Sequence, residues 1–147
     1  MELGLCKYKE VKTNMEELTH NAKIAVLRIL NDIVNADNII KDVELKYMNE
    51  IARSFELANN YMDEVNNLVT LQALAIVRTL SADFKKKIAQ MMGKMIVIDE
   101  DINYNEVKLY NAVCESCNIE KDFNIEDYPD LSLSGPFVNP EDLMNII

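Results

Sequence analysis

The sequence predicts an all-α protein, a single compact domain of about five to seven helices followed by an extended C-terminal tail. Apolar residues recur every three or four positions along most of the chain, which is the spacing of one face of a helix. Between Lys12 and Lys121 there is no proline and one glycine, Gly93, so little interrupts helices there. The 147 residues, 49% of them hydrophobic, suffice for a core that needs neither disulfides nor metals.

The first part of the chain predicts two helices joined by a short loop. The first covers residues 13–34, because Thr13 or Asn14 can form a capping box with a glutamate three residues later. Residues 35–41 form the loop, and the second helix covers residues 42–56. The predicted buried face of the second helix consists of Leu45, Met48, Ile51, Ala52 and Phe55.

The middle of the chain predicts two shorter helices, over residues 62–68 and 70–80. The latter is rich in Leu, Ala, Ile and Val, so we expect it to lie at the centre of the core. Ser81 is a favourable N-cap for the next helix, which ends near Val97. The apolar face of that helix consists of Phe84, Ile88, Met91, Met92, Met95 and Ile96.

The last predicted helix begins after Asn103, which fits the capping-box pattern with Glu106, and ends near Cys117. Its apolar face consists of Val107, Tyr110, Val113, Cys114 and Cys117. Three prolines and a glycine follow Asp122, which predicts a mostly extended tail.

The tail defines the predicted domain boundary. We assign residues 1–121 to the helical domain and residues 122–147 to a C-terminal extension. One short helical turn is predicted within the extension, over residues 141–146. We expect the extension to lie against the domain or against a partner.

One segment of the chain occurs twice, at a constant offset of 62 residues. The pattern Asp-x-x-Ile-x-x-x-Glu runs from Asp37 to Glu44 and again from Asp99 to Glu106, each time between two predicted helices. Ile40 and Ile102 are the isoleucines of the pattern, and further identical pairs are Lys46 with Lys108 and Asn49 with Asn111. The shared placement favours a duplicated helix–loop–helix unit over chance. Two such units usually pack about an approximate two-fold axis, with their apolar faces buried together.

The doubled pattern between helices resembles the TerB-like family, named after tellurite-resistance protein B. The resemblance covers residues 18–119 and implies the helical fold also found in the N-terminal domain of a membrane-anchored DnaJ-like co-chaperone. The family pattern has Gly directly after the Asp, where this chain has Asn38 and Glu100. Asn adopts a left-handed backbone readily and Glu does so poorly, so we expect the second loop to differ in shape from the first.

Each loop contributes one Asp and one Glu, and two units packed about one axis would bring four carboxylates together. These are the side chains of Asp37, Glu44, Asp99 and Glu106. Oxygen ligands of this kind suit Ca²⁺, Mg²⁺ or Mn²⁺. The resemblance implies the same chemistry, because acidic clusters in TerB-like proteins are proposed to bind metal.

The alternative role of these acidic residues is structural. Both Asp side chains can accept backbone N–H groups of their own loops, and Glu106 can complete a capping box at Asn103. In the first unit Lys41 stands at the cap position, so Asp42 is the expected cap there. The residues alone leave the metal role and the structural role open.

Composition excludes some partners. The net charge of −10 disfavours nucleic acids and anionic membranes. The first ten residues lack the apolar core of a secretion signal, and no apolar run reaches the roughly 18 residues of a membrane span. Three cysteines are an odd number for a disulfide scaffold, so we expect reduced thiols and a cytoplasmic protein.

No constellation for catalysis is visible. Cys114 and Cys117 have the CxxC spacing but stand at the end of an apolar helix face, which predicts buried structural thiols. The sole histidine, His20, has no Ser and Asp pattern around it and is expected on a helix surface. Without a nucleophile, a paired base or a phosphate-binding glycine loop, the sequence predicts a protein that is not an enzyme.

The leading hypothesis is a non-enzymatic TerB-like stress-response protein that binds a divalent metal or acts as an interaction module. The second hypothesis is a protein–protein adaptor whose acidic loops are structural. Its contact residues would lie in the tail, at Phe137, Val138 and Leu143. In both cases the expected partner is an unidentified protein or a second copy of the chain in a homodimer.

Overall fold

The computed structural model describes residues 18–135, most of which are helical. The α-helices are α1 (His20–Val34), α2 (Asp42–Ser54), α3 (Tyr61–Asn67), α4 (Thr70–Arg78), α5 (Ala82–Val97) and α6 (Tyr104–Cys117). The remaining elements are the 3₁₀ helices Asn35–Asp37 and Ile125–Asp127 and the strands β1 (Asp101–Asn103) and β2 (Ser132–Ser134). The predicted all-α domain is confirmed. No helix within these residues is long and apolar enough to cross a membrane.

The core is built around α1, which contacts each of the other five α-helices. Ten of the 15 residues of α1 are buried, so its apolar surface extends well beyond a narrow stripe. Among the fully buried side chains are Leu27, Ile29, Leu30 and Ile33. Each such side chain contributes about 1.5–3 kcal/mol by leaving water. The first helix of the duplicated pattern is therefore the element that the rest of the chain covers.

Two predictions about the helices were wrong. The helix over residues 70–80 is not central, because α4 buries only Ala73 and Val77 while Leu71 is 79% exposed. Apolar composition alone did not reveal that α4 covers α1 with one face and turns the other to solvent. The helix predicted over residues 13–34 begins at His20 instead, since the side chain of Thr19 caps it. The predicted caps Thr13 and Asn14 lie outside the described residues.

The 62-residue repeat extends well beyond the acidic loops. Thr19 and Ser81 cap α1 and α5 with backbone angles of φ −65°, ψ 160° and φ −66°, ψ 160°. The Thr19 hydroxyl accepts the amide of Ala22, and the Ser81 hydroxyl accepts that of Phe84, again 62 residues later. The predicted cap at Ser81 is confirmed, and its equivalent begins the first unit.

The two acidic loops have the same backbone conformation, so the expected difference between them was wrong. Asn38 and Glu100 are both left-handed, with φ 63° and φ 64°. Asn38 donates its N–H to the carbonyl of Asn35, and Glu100 donates to that of Val97, both at 3.0 Å. Left-handed backbone costs a non-glycine residue about 1–2 kcal/mol. The hydrogen bonds of the loop offset this cost for Glu100.

The ends of α2 and α6 repeat as well. Glu56 and Asn118 are left-handed, with φ 59° and φ 60°. The amide of Leu57 donates to Ala52 at 3.0 Å, and the amide of Ile119 donates to Cys114 at 2.8 Å. These bonds satisfy carbonyls that the helix ends leave free. We therefore call residues 19–57 the first unit and residues 81–119 the second unit.

Most of the predicted apolar faces are buried. All five predicted residues of α6 are buried, as are Ile88, Met92, Met95 and Ile96 of α5, whereas Phe84 and Met91 are half-buried. In α2 the last four predicted residues are buried. Leu45 is the exception, because 41% of it is exposed, whereas its equivalent Val107 is 1% exposed.

The C-terminal extension lies against the second unit. Strand β2 pairs in parallel with β1, with Leu133 opposite Ile102. The ring of Phe123 packs edge-on against Tyr110, with centroids 5.8 Å apart, and stacks on Tyr128 at 5.7 Å. The predicted extended chain thus has a fixed place on the domain as far as residue 135. The turn predicted over residues 141–146 lies outside the described residues.

Two glycines should respond in opposite ways to alanine. A Cβ at Gly93, inside α5, would meet Phe123 at an ordinary 3.6 Å, so we expect Gly93→Ala to raise the free energy of unfolding by about 0.5–1 kcal/mol. Gly135 has φ +109°, and a Cβ there would lie 2.9 Å from the Cβ of Tyr104. Gly135→Ala should lower stability by about 1–3 kcal/mol. Urea unfolding measures both, and shifts of the same sign would contradict the geometry.

Candidate acidic site

The four carboxylates singled out in the sequence converge between the two units. The charges of Glu44, Asp37 and Asp99 each raise the pKa of Glu106. Asp37 and Asp99 also raise the pKa of Glu44. The first loop lies against the second unit, since the 3₁₀ helix Asn35–Asp37 contacts α6. We call these four side chains the acidic site.

Both Asp residues of the acidic site hold their own loops in shape. An oxygen of Asp37 accepts the N–H of Ile39 at 2.9 Å, and one of Asp99 accepts the N–H of Asp101 at 3.2 Å. These bonds are equivalent under the 62-residue offset. Each Asp uses its Oδ1 atom in this way, so its Oδ2 atom remains available for other interactions.

Lys41 supplies a positive charge to the acidic site. Its ammonium group pairs with Oδ2 of Asp99, whose side chain is only 6% exposed. This hydrogen bond, together with the charges of Asp99, Asp101 and Glu44, raises the pKa of Lys41 against the opposing effect of burial. The Lys41 side chain is itself 40% exposed and so reaches the site from the solvent side.

The two glutamates occupy equivalent positions but differ in their hydrogen bonds. Both are 1% exposed. Oε1 of Glu44 accepts the N–H of Lys41 at 2.9 Å, whereas Oε1 of Glu106 has no hydrogen-bond partner among residues 18–135. The predicted bond from Glu106 back to Asn103 is therefore not the one found, and Glu44 rather than Asp42 holds the start of α2. In the second unit the Asn103 side chain caps α6 by accepting the amides of Asn105 and Glu106.

Glu106 is a protonated carboxylic acid at neutral pH. Its burial, followed by the charges of Glu44, Asp37 and Asp99, raises its pKa to about 9. Burial is also the main cause of the raised pKa of Glu44, which the hydrogen bond from Lys41 opposes. The acidic site thus reduces its negative charge in two ways, through a proton on Glu106 and through the ammonium of Lys41.

The donors of the acidic site are the oxygen ligands that Ca²⁺, Mg²⁺ and Mn²⁺ prefer. The buried Oε1 of Glu106, which no group in the described chain satisfies, fits a cation in this respect. Among residues 18–135, however, no three His, Cys, Asp or Glu side chains are arranged to hold a metal ion. The ammonium of Lys41 occupies a coordinating oxygen of Asp99 in this arrangement.

Sequence reasoning missed the role of Lys41, which it treated only as a poor cap. The signal was present in the repeat. Lys41 stands where the second unit has the capping Asn103, and it lies close in sequence to Asp37, Asp42 and Glu44. A lysine where the duplicate has a cap indicates a different task for that side chain.

The other candidate residues lie away from the acidic site. Cys114 and Cys117 are buried free thiols, as predicted, and burial raises the pKa of Cys114 to about 11. Such a thiol is a poor nucleophile at neutral pH. His20 lies on the surface, where its Nε2 atom is 2.8 Å from an oxygen of Glu64.

Comparison with known proteins shows a likeness in fold to a solved structure. No protein-family model matches the chain, and no curated protein matches it either. Among solved structures, the chain is similar to the crystal structure of the protein of unknown function PG1108 from Porphyromonas gingivalis W83. The TM-score is 0.62 at 22% identity, over 72% of this chain and 83% of that chain. This likeness shows a shared helical fold.

The pKa of Glu106 predicts how stability depends on pH. Between the ordinary value of 4.5 and about 9, the folded state holds a proton that the unfolded state has lost. The free energy of unfolding should therefore fall as pH rises through this window, by up to about 1.4 kcal/mol per pH unit. Urea unfolding from pH 5.5 to 8.5 measures the slope. Glu106→Gln should reduce it, whereas the exposed Glu120→Gln should not, and equal slopes in all three proteins would contradict the assignment.

Proposed function

We propose that the protein is a non-enzymatic TerB-like helical module whose acidic site binds a divalent cation. The observation that carries the proposal is the buried Oε1 of Glu106, which lies among three further carboxylates and has no hydrogen-bond partner in the part of the chain that the structure describes. Leaving a buried acceptor unsatisfied costs about 1–3 kcal/mol. A cation bound beside it would recover that cost.

Binding requires an exchange of positive charge. A divalent cation would take the place of the Lys41 ammonium at Asp99 and of the proton on Glu106. The residues that would hold it are Asp37, Glu44, Asp99 and Glu106. Because carboxylates bind metal in their ionised form, binding should release a proton and grow tighter as pH rises. The half-exposed Lys41 side chain can swing into solvent without disturbing the core.

The TerB-like resemblance supports a particular biological process for the proposed module. Together with the helical fold, it supports a role in a stress response such as tellurite resistance, with the loaded module acting on another protein. The resemblance rests on the doubled Asp-x-x-Ile-x-x-x-Glu pattern. The N-caps and left-handed residues at equivalent positions of the two units strengthen the case for a duplicated unit.

Titration calorimetry with Ca²⁺, Mg²⁺ and Mn²⁺ tests cation binding. We expect heat and a raised melting temperature for at least one of the three ions, with proton release that differs between buffers of different ionisation enthalpy. Asp37→Ala should abolish binding. Lys41→Met removes the competing ammonium and should tighten binding about tenfold, which corresponds to about 1.4 kcal/mol.

Two controls make the titration decisive. Asp63→Ala removes an exposed acid of α3 outside the acidic site and should leave binding unchanged. Glu106→Gln should bind without releasing the proton. Absence of heat and of a melting shift in both the wild type and Lys41→Met would end the proposal, because the latter protein lacks the internal competitor.

The second candidate function, an interaction module with structural acidic loops, has its own support. Both Asp residues and Glu44 bind backbone amides of their loops, as a structural role requires. The first unit also exposes several large apolar side chains next to its loop. The tail residues named for this role, Phe137, Val138 and Leu143, lie outside the described residues.

A further inference from the structure

The two units differ in what covers the segment after the acidic loop. In the second unit this segment is β1, and β2 pairs with it in parallel. The equivalent segment of the first unit, residues 39–41, has no strand beside it within the described chain. The backbone nevertheless has the same course, since Lys41 has φ −99°, ψ 151° and Asn103 has φ −92°, ψ 130°.

The uncovered segment is held in an extended form by its own acidic residues. Asp37 accepts the N–H of Ile39, and Glu44 accepts the N–H of Lys41. The N–H and C=O of Ile40, between them, have no hydrogen-bond partner in the described chain. Unpaired donors and acceptors along an extended segment are a template for another strand. Residues 39–41 thus present one donor and one acceptor in a fixed position.

The same region exposes the apolar side chains that a covering strand would bury. Ile40 is 46% exposed, whereas its equivalent Ile102 is fully buried. Leu45 is likewise exposed, whereas its equivalent Val107 is buried. Exposed apolar residues of the first unit are Ile39, Ile40, Val43 and Leu45, which we call the first-unit patch. Such a cluster on an otherwise charged surface indicates a contact region.

We propose that residues 39–41 bind an extended segment of a partner protein, which adds as a strand parallel to them and carries basic residues at both ends. The inference is independent of cation binding. The expected side-chain pattern of the partner segment is taken from β2, the strand that covers the second unit. There, Ser132 and Ser134 both donate their hydroxyls to Asp101, whereas Leu133 between them is 45% exposed.

The side chains of the partner follow from the residue that replaces Asp101. In the first unit that position is Ile39, so the partner residues equivalent to Ser132 and Ser134 should be apolar. The residue between them, which faces solvent, is free to be polar. Strand addition of this kind takes affinity from main-chain hydrogen bonds and specificity from alternate side chains.

Charge complementarity with the acidic loops determines which residues suit the ends of the partner segment. In the two loops, Asp42 and Glu100 are exposed and Asp37 and Asp101 are half-buried, whereas the loops contain one basic residue, Lys41. The whole chain carries a net charge of −10, so a second copy would bring like charges together. Lysine or arginine at the ends of the segment would instead meet acidic groups such as the exposed Asp42.

A synthetic peptide tests the proposal. It has valines at the positions equivalent to Ser132 and Ser134, a threonine between them and two lysines at each end. We expect saturable binding by fluorescence anisotropy, with amide shifts in the NMR spectrum centred on residues 39–41. Glutamates in place of the lysines should weaken binding at least tenfold. Methylating the nitrogen of the second valine removes the donor to the carbonyl of Ile40 and should have a similar effect.

Matched variants of the protein locate the contact. Ile40→Lys should weaken peptide binding at least tenfold. Leu71→Lys adds the same charge at an exposed apolar site of α4 and should leave peptide binding unchanged. Thermal melting confirms that both variants are folded. Absence of peptide binding, equal binding by the two variants, or equal binding of the glutamate peptide would overturn the proposal. So would a dimer in light scattering that Ile40→Lys dissociates, because the covering segment would then be a second copy.

Discussion

The burial of α1 on nearly all sides is the constraint on which the fold depends. A helix with ten buried residues needs neighbours around most of its circumference, and the other five α-helices provide them. One helix–loop–helix unit offers a single partner helix for this purpose. Duplication of the unit, with α3 and α4 between the copies, supplies the remaining surface. The domain is thus stabilised mainly by apolar burial.

The packing of the units has an electrostatic consequence. Equivalent glutamates, Glu44 and Glu106, are buried close to each other and to two aspartates. Four ionised carboxylates would repel one another strongly where water is scarce. The carboxylates avoid this repulsion in different ways. Glu44 accepts a backbone N–H, Asp99 pairs with an ammonium group and Glu106 keeps its proton. Equivalent positions in the two units therefore differ in their hydrogen bonds and ion pairs.

Local features of the fold were accessible from the sequence. Ser81 and Asn103 could be identified as caps because capping depends on residues three positions apart, and the acidic loops because their pattern occurs twice. Features set by distant contacts were not accessible. Burial of Leu45 was predicted from helical spacing, which does not reveal that, within residues 18–135, no strand covers the first unit as β2 covers the second. The ion pair between Lys41 and Asp99 joins residues 58 positions apart, beyond any local pattern.

Gly93 on α5 marks the place where Phe123 of the C-terminal chain packs on the second unit. Gly93 leaves room for the ring of Phe123, whereas its equivalent in α1 is Asn31, whose side chain is buried. A ring placed in the same way on the first unit would collide with that amide. The glycine and the buried asparagine therefore distinguish two units that otherwise repeat each other closely.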